Sequence, residues 1–252
     1  HVPKIITTQT DGTMNFPYID ETSNVAGIIG EGTTSAKLDI TVANKTLSAF
    51  TYTSYTVPLS YELIQDDGYN LMGQLSSFLG ERLGRKRNAD YTTGAGTTLP
   101  YGVVTRAANS SVTTSAVSRT KILDLIHSVD IAYRSKGRLM FTDATFALIR
   151  KLAIGSGDDR PLWVPSMRDG VPDMIEGVPY TINNDMAELG AGNKFMLFGD
   201  FDQYVIREVL GIQIESSWEA FFGSRTVGFN AYLRSDADLI GNTAAIKYMA
   251  GA

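Results

Sequence analysis

Residues 69–96 read YNLMGQLSSFLGERLGRKRNADYTTGAG. Leu71, Met72, Leu75, Leu79 and Leu83 recur at the spacing of one helix face, which predicts a long helix over about 69–91. Gly73, Gly80 and Gly84 also fall near one face, and each costs about 1 kcal/mol relative to Ala inside a helix. Glycines held at that cost predict close backbone approach by another element. Gly94 and Gly96 then end the helix.

Upstream, Pro58 and Ser60 mark a short helix start with Glu62 in its first turn, and Asp66-Asp67-Gly68 interrupts it. Between Leu38 and Val57 the pattern is β-like. Leu38, Ile40 and Val42 alternate with polar residues. After Asn44-Lys45 a second run places Phe50, Tyr52 and Ser54 on one face and Thr51, Thr53 and Tyr55 on the other. The two runs predict a long β-hairpin without a core of its own, projecting or lying on a neighbour. Residues 25–36 are Gly-rich. Residues 1–24 lack periodicity and read as an extended arm that lies on a partner surface or stays mobile.

Downstream, Ile122, Leu125, Ile126, Val129, Ala132 and Tyr133 predict a helix over about Ser118–Arg134. A strand at Arg138–Phe141 follows. A helix capped by Thr142 or Asp143 then runs to about Ala153, with Phe146, Ile149 and Leu152 inward. This order predicts a compact α/β unit. Gly155-Ser156-Gly157-Asp158-Asp159 reads as a mobile loop. Strands are expected at Val178–Ile182, Phe195–Phe198, Tyr204–Val209, Ile212–Ile214 and Thr226–Leu233, with a closing run at about Ala244–Met249.

Composition narrows the function. The chain has 252 residues, 43% hydrophobic and 19% charged, which excludes a highly charged disordered polymer. Its net charge of −5 argues against a dedicated nucleic-acid clamp. With no Cys, it has no disulfide framework, thiolate zinc site or Cys nucleophile. The apolar stretch Val25–Ile29 is far short of the roughly 20 residues of a membrane span. The start at His1 rather than Met is read as processing or a late-starting segment.

No catalytic set assembles. A Ser nucleophile needs a base, and the only internal His, His127, is expected on the polar side of its helix as a surface or interface residue. There is no Gly-x-Ser-x-Gly elbow. Gly94-Ala95-Gly96-Thr97-Thr98 lacks the Lys of a phosphate loop and follows a helix rather than a strand. The adjacent pairs Asp66-Asp67 and Asp158-Asp159 read as caps or solvated loops. No cofactor or metal is expected. Arg82, Arg85, Lys86 and Arg87 form the one dense basic run, either a solvated helix end or a surface for nucleic-acid phosphate.

Four stretches in order resemble the tailed-phage major capsid proteins of the Hong Kong 97 type. Val57-Pro58-Leu59-Ser60-Tyr61-Glu62-Leu63-Ile64-Gln65-Asp66 is similar to the family's passage from extended loop to spine helix. Asp90-Tyr91-Thr92-Thr93-Gly94-Ala95-Gly96 with Leu99-Pro100-Tyr101-Gly102-Val103-Val104 resembles its Gly-rich exit. The third is the Leu139–Leu152 strand and helix followed by Arg160-Pro161-Leu162 and Glu176-Gly177-Val178-Pro179-Tyr180. The fourth is Phe198-Gly199-Asp200 leading into Tyr204-Val205-Ile206-Arg207.

The resemblance implies an α+β fold of the Hong Kong 97 type. Its parts would be an N-terminal arm (1–24), an extended loop (25–57), a peripheral domain (58–103 and 201–240) and an axial domain (104–200 and 241–252). The implied function is self-assembly into pentamers and hexamers of an icosahedral head around double-stranded DNA. Portal and decoration proteins would be partners, with no membrane, and assembly would occur in the bacterial host cytoplasm. Some relatives crosslink a loop Lys to an Asn. Lys37 and Lys45 are available here, but Glu219 and Ala220 stand where the Asn aligns, so no crosslink is expected. Phe50, Tyr52 and Tyr55 are candidate loop anchors on a neighbour, or local packing residues. Three alternatives are an encapsulin-type nanocompartment shell, a hydrolase using His127, and a tail or adhesin-like binding module.

Overall fold

Apolar residues alternate along 226–239, and a sheet forms around the strand they make. The computed structural model describes residues 3–10, 12–19, 26–35, 37, 42–66, 70–155, 158–161, 163 and 174–252. In chain order its strands are β1 (Lys4–Thr8), β2 (Met14–Ile19), β3 (Val42–Leu47), β4 (Phe50–Thr53), β5 (Val57–Ser60), β6 (Ala108–Thr114), β7 (Arg138–Phe141), β8 (Ala153–Gly155), β9 (Asp158–Pro161), β10 (Met174–Ile175), β11 (Val178–Ile182), β12 (Lys194–Gly199), β13 (Tyr204–Ser217), β14 (Thr226–Leu239) and β15 (Ile246–Gly251). The helices are α1 (Tyr61–Gln65), α2 (Leu71–Thr93), α3 (Val103–Arg106), α4 (Arg119–Ser128), α5 (Ile131–Arg134) and α6 (Asp143–Arg150).

The first sheet runs β1-β13-β14-β4, and β5 also pairs with β14. Leu75, Leu79 and Leu83 of α2 lie on its inner face against Tyr52, Val227, Phe229, Ala231 and Leu233. Each buried leucine stabilises the layer by about 1.5–3 kcal/mol. The leucine stripe and the alternation over 226–233 are both as the sequence predicts. β13 differs, because a bulge at Leu210–Gly211, both at positive φ, joins the two expected strands into one.

The second sheet runs β10-β11-β7-β12-β15-β6, with α4 and α6 packed on it. Ser118 and Thr142 cap these helices through their side chains, accepting from Lys121 N and Thr145 N. A third cluster joins the sheets, where Tyr91, Val103, Leu197, Tyr204, Ala237, Leu239 and Ile246 interdigitate. The turn after α2 is backbone against backbone. A Cβ on Gly102 would sit 2.5 Å from Gly94 N, and one on Gly94 would sit 2.2 Å from Pro100 O. Glycine is required at both places by close approach.

Several expectations are corrected. β3 does not pair with the run at 50–55. It pairs antiparallel with β2 of the arm, while β4 joins β14. The link Ser48-Ala49 cannot turn back, because Ser48 N donates to Asp236 Oδ2 at 2.6 Å and fixes the chain on the sheet. Leu38–Thr41 lie outside the described residues. Within the arm, β1 pairs parallel with β13 and β2 with β3, so these strands lie on the chain's own structure. The helix expected over Ser118–Arg134 breaks at Val129, whose extended backbone precedes Asp130, the cap of α5. Buried Val129 still falls on the apolar stripe, so periodicity misses the break. α2 begins at Leu71 and reaches Thr93; Asp67–Tyr69 lie outside the described residues. Gly155, Asp158 and Asp159 belong to the β8–β9 pair, with Ser156 and Gly157 outside the described residues. Along α2, a Cβ on Gly80 or Gly84 would meet nothing within 4 Å, so no element among the described residues approaches closely there.

Candidate inter-subunit surface

Tyr52 and Phe50 share the face of β4 that meets α2, so local packing claims them. Tyr52 is buried among the α2 leucines and Phe50 is half-buried beside it. Burial, with the charges of Tyr91 and Asp90 beside it, holds the Tyr52 phenol far above its usual range. Tyr52 Oη and Asp90 Oδ2 have no hydrogen-bond partner among the described residues. Tyr55, two residues after β4, sits at φ 62° and is 79% exposed. Of the three aromatic candidates it alone points away from the chain.

Lys45 is turned inward. Its Nζ donates to Leu239 O and lies 5.7 Å from the Tyr18 ring centre. Burial lowers its pKa, opposed by the Asp238 charge. It ties the β2–β3 ribbon to its own sheet. Lys37 is exposed. Glu219 and Ala220 lie in the turn between β13 and β14, where Ala220 N donates to Ser217 Oγ and Phe222 N to Glu219 O.

The basic run divides. Arg85 pairs with Glu81 at 2.9 Å, Lys86 with Asp90 at 2.8 Å, and Arg87 with Glu208. Arg82 is exposed and, among the described residues, has no carboxylate partner. The ridge holds one uncompensated cation rather than four. His127 is exposed; its Nδ1 lies 3.0 Å from Arg134 Nη1, in a hollow of about 480 Å³. Arg134 and Lys247 donate to the last carbonyls of α4, so this hollow is a helix end closed by cations. Among the described residues no group of three or more His, Cys, Asp or Glu side chains is placed to hold a metal ion. Among the described residues no helix is long and apolar enough to cross a membrane.

Two features escape the sequence reading. Arg207, 1% exposed, joins three segments. Nε donates to Thr8 Oγ1, Nη1 to Leu47 O and Ser48 O, and Nη2 to Thr10 O. An Arg in an alternating strand reads as solvent-facing, so no local signal marks it. The second feature is the far end of β13–β14. Leu210, Ile212, Ile214, Trp218 and Phe222 are exposed there, with the Trp218 ring 5.9 Å from Tyr61. Ile212 and Ile214 alternate with Gln213 and Glu215, a signal of an apolar face, but only the fold shows that it stays exposed among the described residues.

The profile of the phage capsid family matches residues 3–251. The fold is similar to the capsid of a native GTA particle computed with C5 symmetry, at TM-score 0.85 and 21% identity, covering 99% of this chain and 88% of the other. It is also similar to a structure of Microbacterium phage Oxtober96, at TM-score 0.72 and 14% identity over 99% and 89% of the two chains. A structure of Mycobacterium phage Adephagia gives TM-score 0.70 and 15% identity over 99% and 88%. At these identities the likeness is one of fold. Comparison with curated proteins gives no match.

Proposed function

The chain belongs to the phage capsid family and is a capsid shell protein, and from that premise we propose that copies of it close as pentamers and hexamers into the icosahedral head of a tailed phage around double-stranded DNA. The observation that carries this reading is the span of the family match: residues 3–251 include both sheets, both ribbons and the exposed β13–β14 end. The first sheet with α2 forms the peripheral part, and the second sheet with α4 and α6 forms the axial part near the capsomer centre. The GTA capsid's five-fold setting supports rings of five for this chain. Rings arise when a heterologous contact closes on itself.

The contacts that build the shell are modest and repeated, so avidity carries the assembly. Three surfaces serve them: the segment 26–35, exposed throughout; Tyr55; and the apolar end of β13–β14. DNA is enclosed rather than gripped, since the chain is net −5 and three of the four cations in its densest basic run are already paired. Lys45 is spent on Leu239 O and, although Lys37 is exposed, Glu219 and Ala220 stand where the crosslinking Asn aligns, so the shell holds by noncovalent overlap or with a decoration protein. A portal is the further partner, and assembly takes place in the host cytoplasm.

Negative-stain class averages of the purified protein test this. Rings of five and six subunits within closed particles support the reading. A protein that stays monomeric at all concentrations contradicts it.

A further inference from the structure

We propose that a groove where the two sheets meet binds a small apolar molecule ending in a carboxylate, held by Arg138. The groove, of about 420 Å³, opens between α2 and β13 on one side and β7 and β11 on the other. Its floor is the outer surface of the cluster that joins the sheets: Tyr91, Val103, Phe201, Tyr204 and Ile206 are buried, and Met140 packs against them. A cleft of roughly 300–1,000 Å³, mostly apolar with a few placed polar groups, is what a small-molecule site requires, and junctions between structural units are where such sites concentrate.

The polar groups around this floor are mostly committed to one another. Tyr204 Oη donates to Tyr101 O, and the Tyr91 hydroxyl bonds Ser235 Oγ, so both phenols leave only ring surface to the groove. Asn183 Nδ2 donates to Thr92 Oγ1 at 2.8 Å, and Asn183 Oδ1 accepts from Asn88 Nδ2 at 2.9 Å. Arg138 is different. Among the described residues it is the one charged group lining the groove, it is half-buried, and Nη1 makes its hydrogen bond, to Thr181 Oγ1 at 3.1 Å. No carboxylate among the described residues lies within ion-pair distance of it. A guanidinium carries several N–H donors in a fixed fork, so most of its capacity is unused.

These two facts select the ligand. A half-buried cation has given up water without gaining a counter-charge, and a carboxylate answers it with two oxygens matched to the fork. The apolar floor asks for a hydrocarbon or aromatic body behind that carboxylate. An Asp or Glu side chain of another protein brings the charge but too little apolar surface to cover the floor, so a free acid with an apolar tail fits better. Because the lining comes from both sheets, such a ligand bridges them and fixes α2 and β13 against β7 and β11. The inference is independent of the shell reading, since it needs one copy of the chain.

Octanoate is the probe, titrated into the free subunit by calorimetry, with 1-octanol as its uncharged match. For a ligand of this size a Kd of about 0.1–1 mM is expected, and octanol should bind about tenfold or more weaker. Hydrogen exchange should slow with octanoate at 138–140, 181–183 and 204–206 together, the segments that line the groove, and stay unchanged in β4. Arg138→Gln, whose amide can still donate to Thr181 Oγ1, should bind octanoate no better than octanol. Ile182→Glu changes an exposed residue of the rim and brings a carboxylate into the same groove, so it should weaken octanoate by about tenfold or more while the melting midpoint without ligand stays put. This second variant keeps the test decisive if Arg138→Gln does not fold. No binding up to about 10 mM octanoate overturns the proposal. So do equal affinities for octanoate and octanol, protection confined to other segments, or full octanoate affinity in Ile182→Glu.

Discussion

Replacing Arg207 with Met should cost the free subunit about 3 kcal/mol and loosen two particular segments. The guanidinium is buried, and no carboxylate lies within ion-pair distance of it among the described residues. It is held instead by three backbone carbonyls and the Thr8 hydroxyl, at 2.8–3.2 Å. Two effects compete. Burying a cation costs several kcal/mol, which Met would recover. Against that, each hydrogen bond to a charged donor contributes about 1.5–3 kcal/mol, and the truncation strands the buried Leu47 carbonyl. Ser48 O and Thr10 O are only part-buried and can turn to water, so the sum falls short of four full bonds. A net loss near 3 kcal/mol follows. Urea unfolding of the free subunit measures it as a lower midpoint at unchanged slope. Hydrogen exchange should quicken at Thr8–Thr10 and Leu47–Phe50 and stay slow in β7 and β12. A loss below about 1 kcal/mol, or exchange that rises evenly, would refute the reasoning, because desolvation would then outweigh the bonds.

Three further outcomes follow from the same geometry. Gly80→Ala should stabilise the free subunit by about 1 kcal/mol, since its Cβ meets nothing within 4 Å, whereas Gly102→Ala should destabilise it by about 2 kcal/mol or more, since its Cβ would press on the backbone of Gly94 and Thr92; paired thermal melts check the opposite signs. Among the described residues the Tyr52 hydroxyl meets no partner in hydrogen-bond geometry, though the Asp90 carboxylate lies beside it, so Tyr52→Phe should change stability by less than about 1 kcal/mol in chemical denaturation; a loss of about 2 kcal/mol would mean that the hydroxyl is bonded to Asp90. Burial lowers the Lys45 pKa from 10.5, so the folded chain releases this proton before the unfolded one does. Stability should therefore rise with pH between the lowered value and 10.5, and Lys45→Met should lack that rise when urea midpoints are compared along the pH series.

Local chemistry made much of the fold legible. Ser60, Ser118 and Thr142 cap the helices they were expected to start, because capping depends on a side chain three residues or fewer from its partner. The α2 leucines and the alternation over 226–233 locate one layer of core for the same reason. The errors concern partners distant in sequence. Alternation shows that 42–47 is a strand, but not that Lys45 sits opposite Phe16 rather than beside the run at 50–55. The glycines of α2 mark a small-residue face, yet at Gly80 and Gly84 nothing among the described residues comes against it. Of the anchor candidates, Tyr52 went to the core because β4 docks under α2, and only Tyr55 stayed outside. Arg207 was invisible because its role depends on three segments meeting around one strand.

The central claim is that copies of this chain build a shell. The native mass of the purified protein, measured by light scattering across a concentration series, tests it most directly. Sixty copies of a 27.4 kDa chain, the smallest icosahedral count, give about 1.6 MDa, and the account predicts particles of that mass or more, or rings of five and six on the way to them. A stable monomer of 27.4 kDa at the highest concentration reached would contradict it.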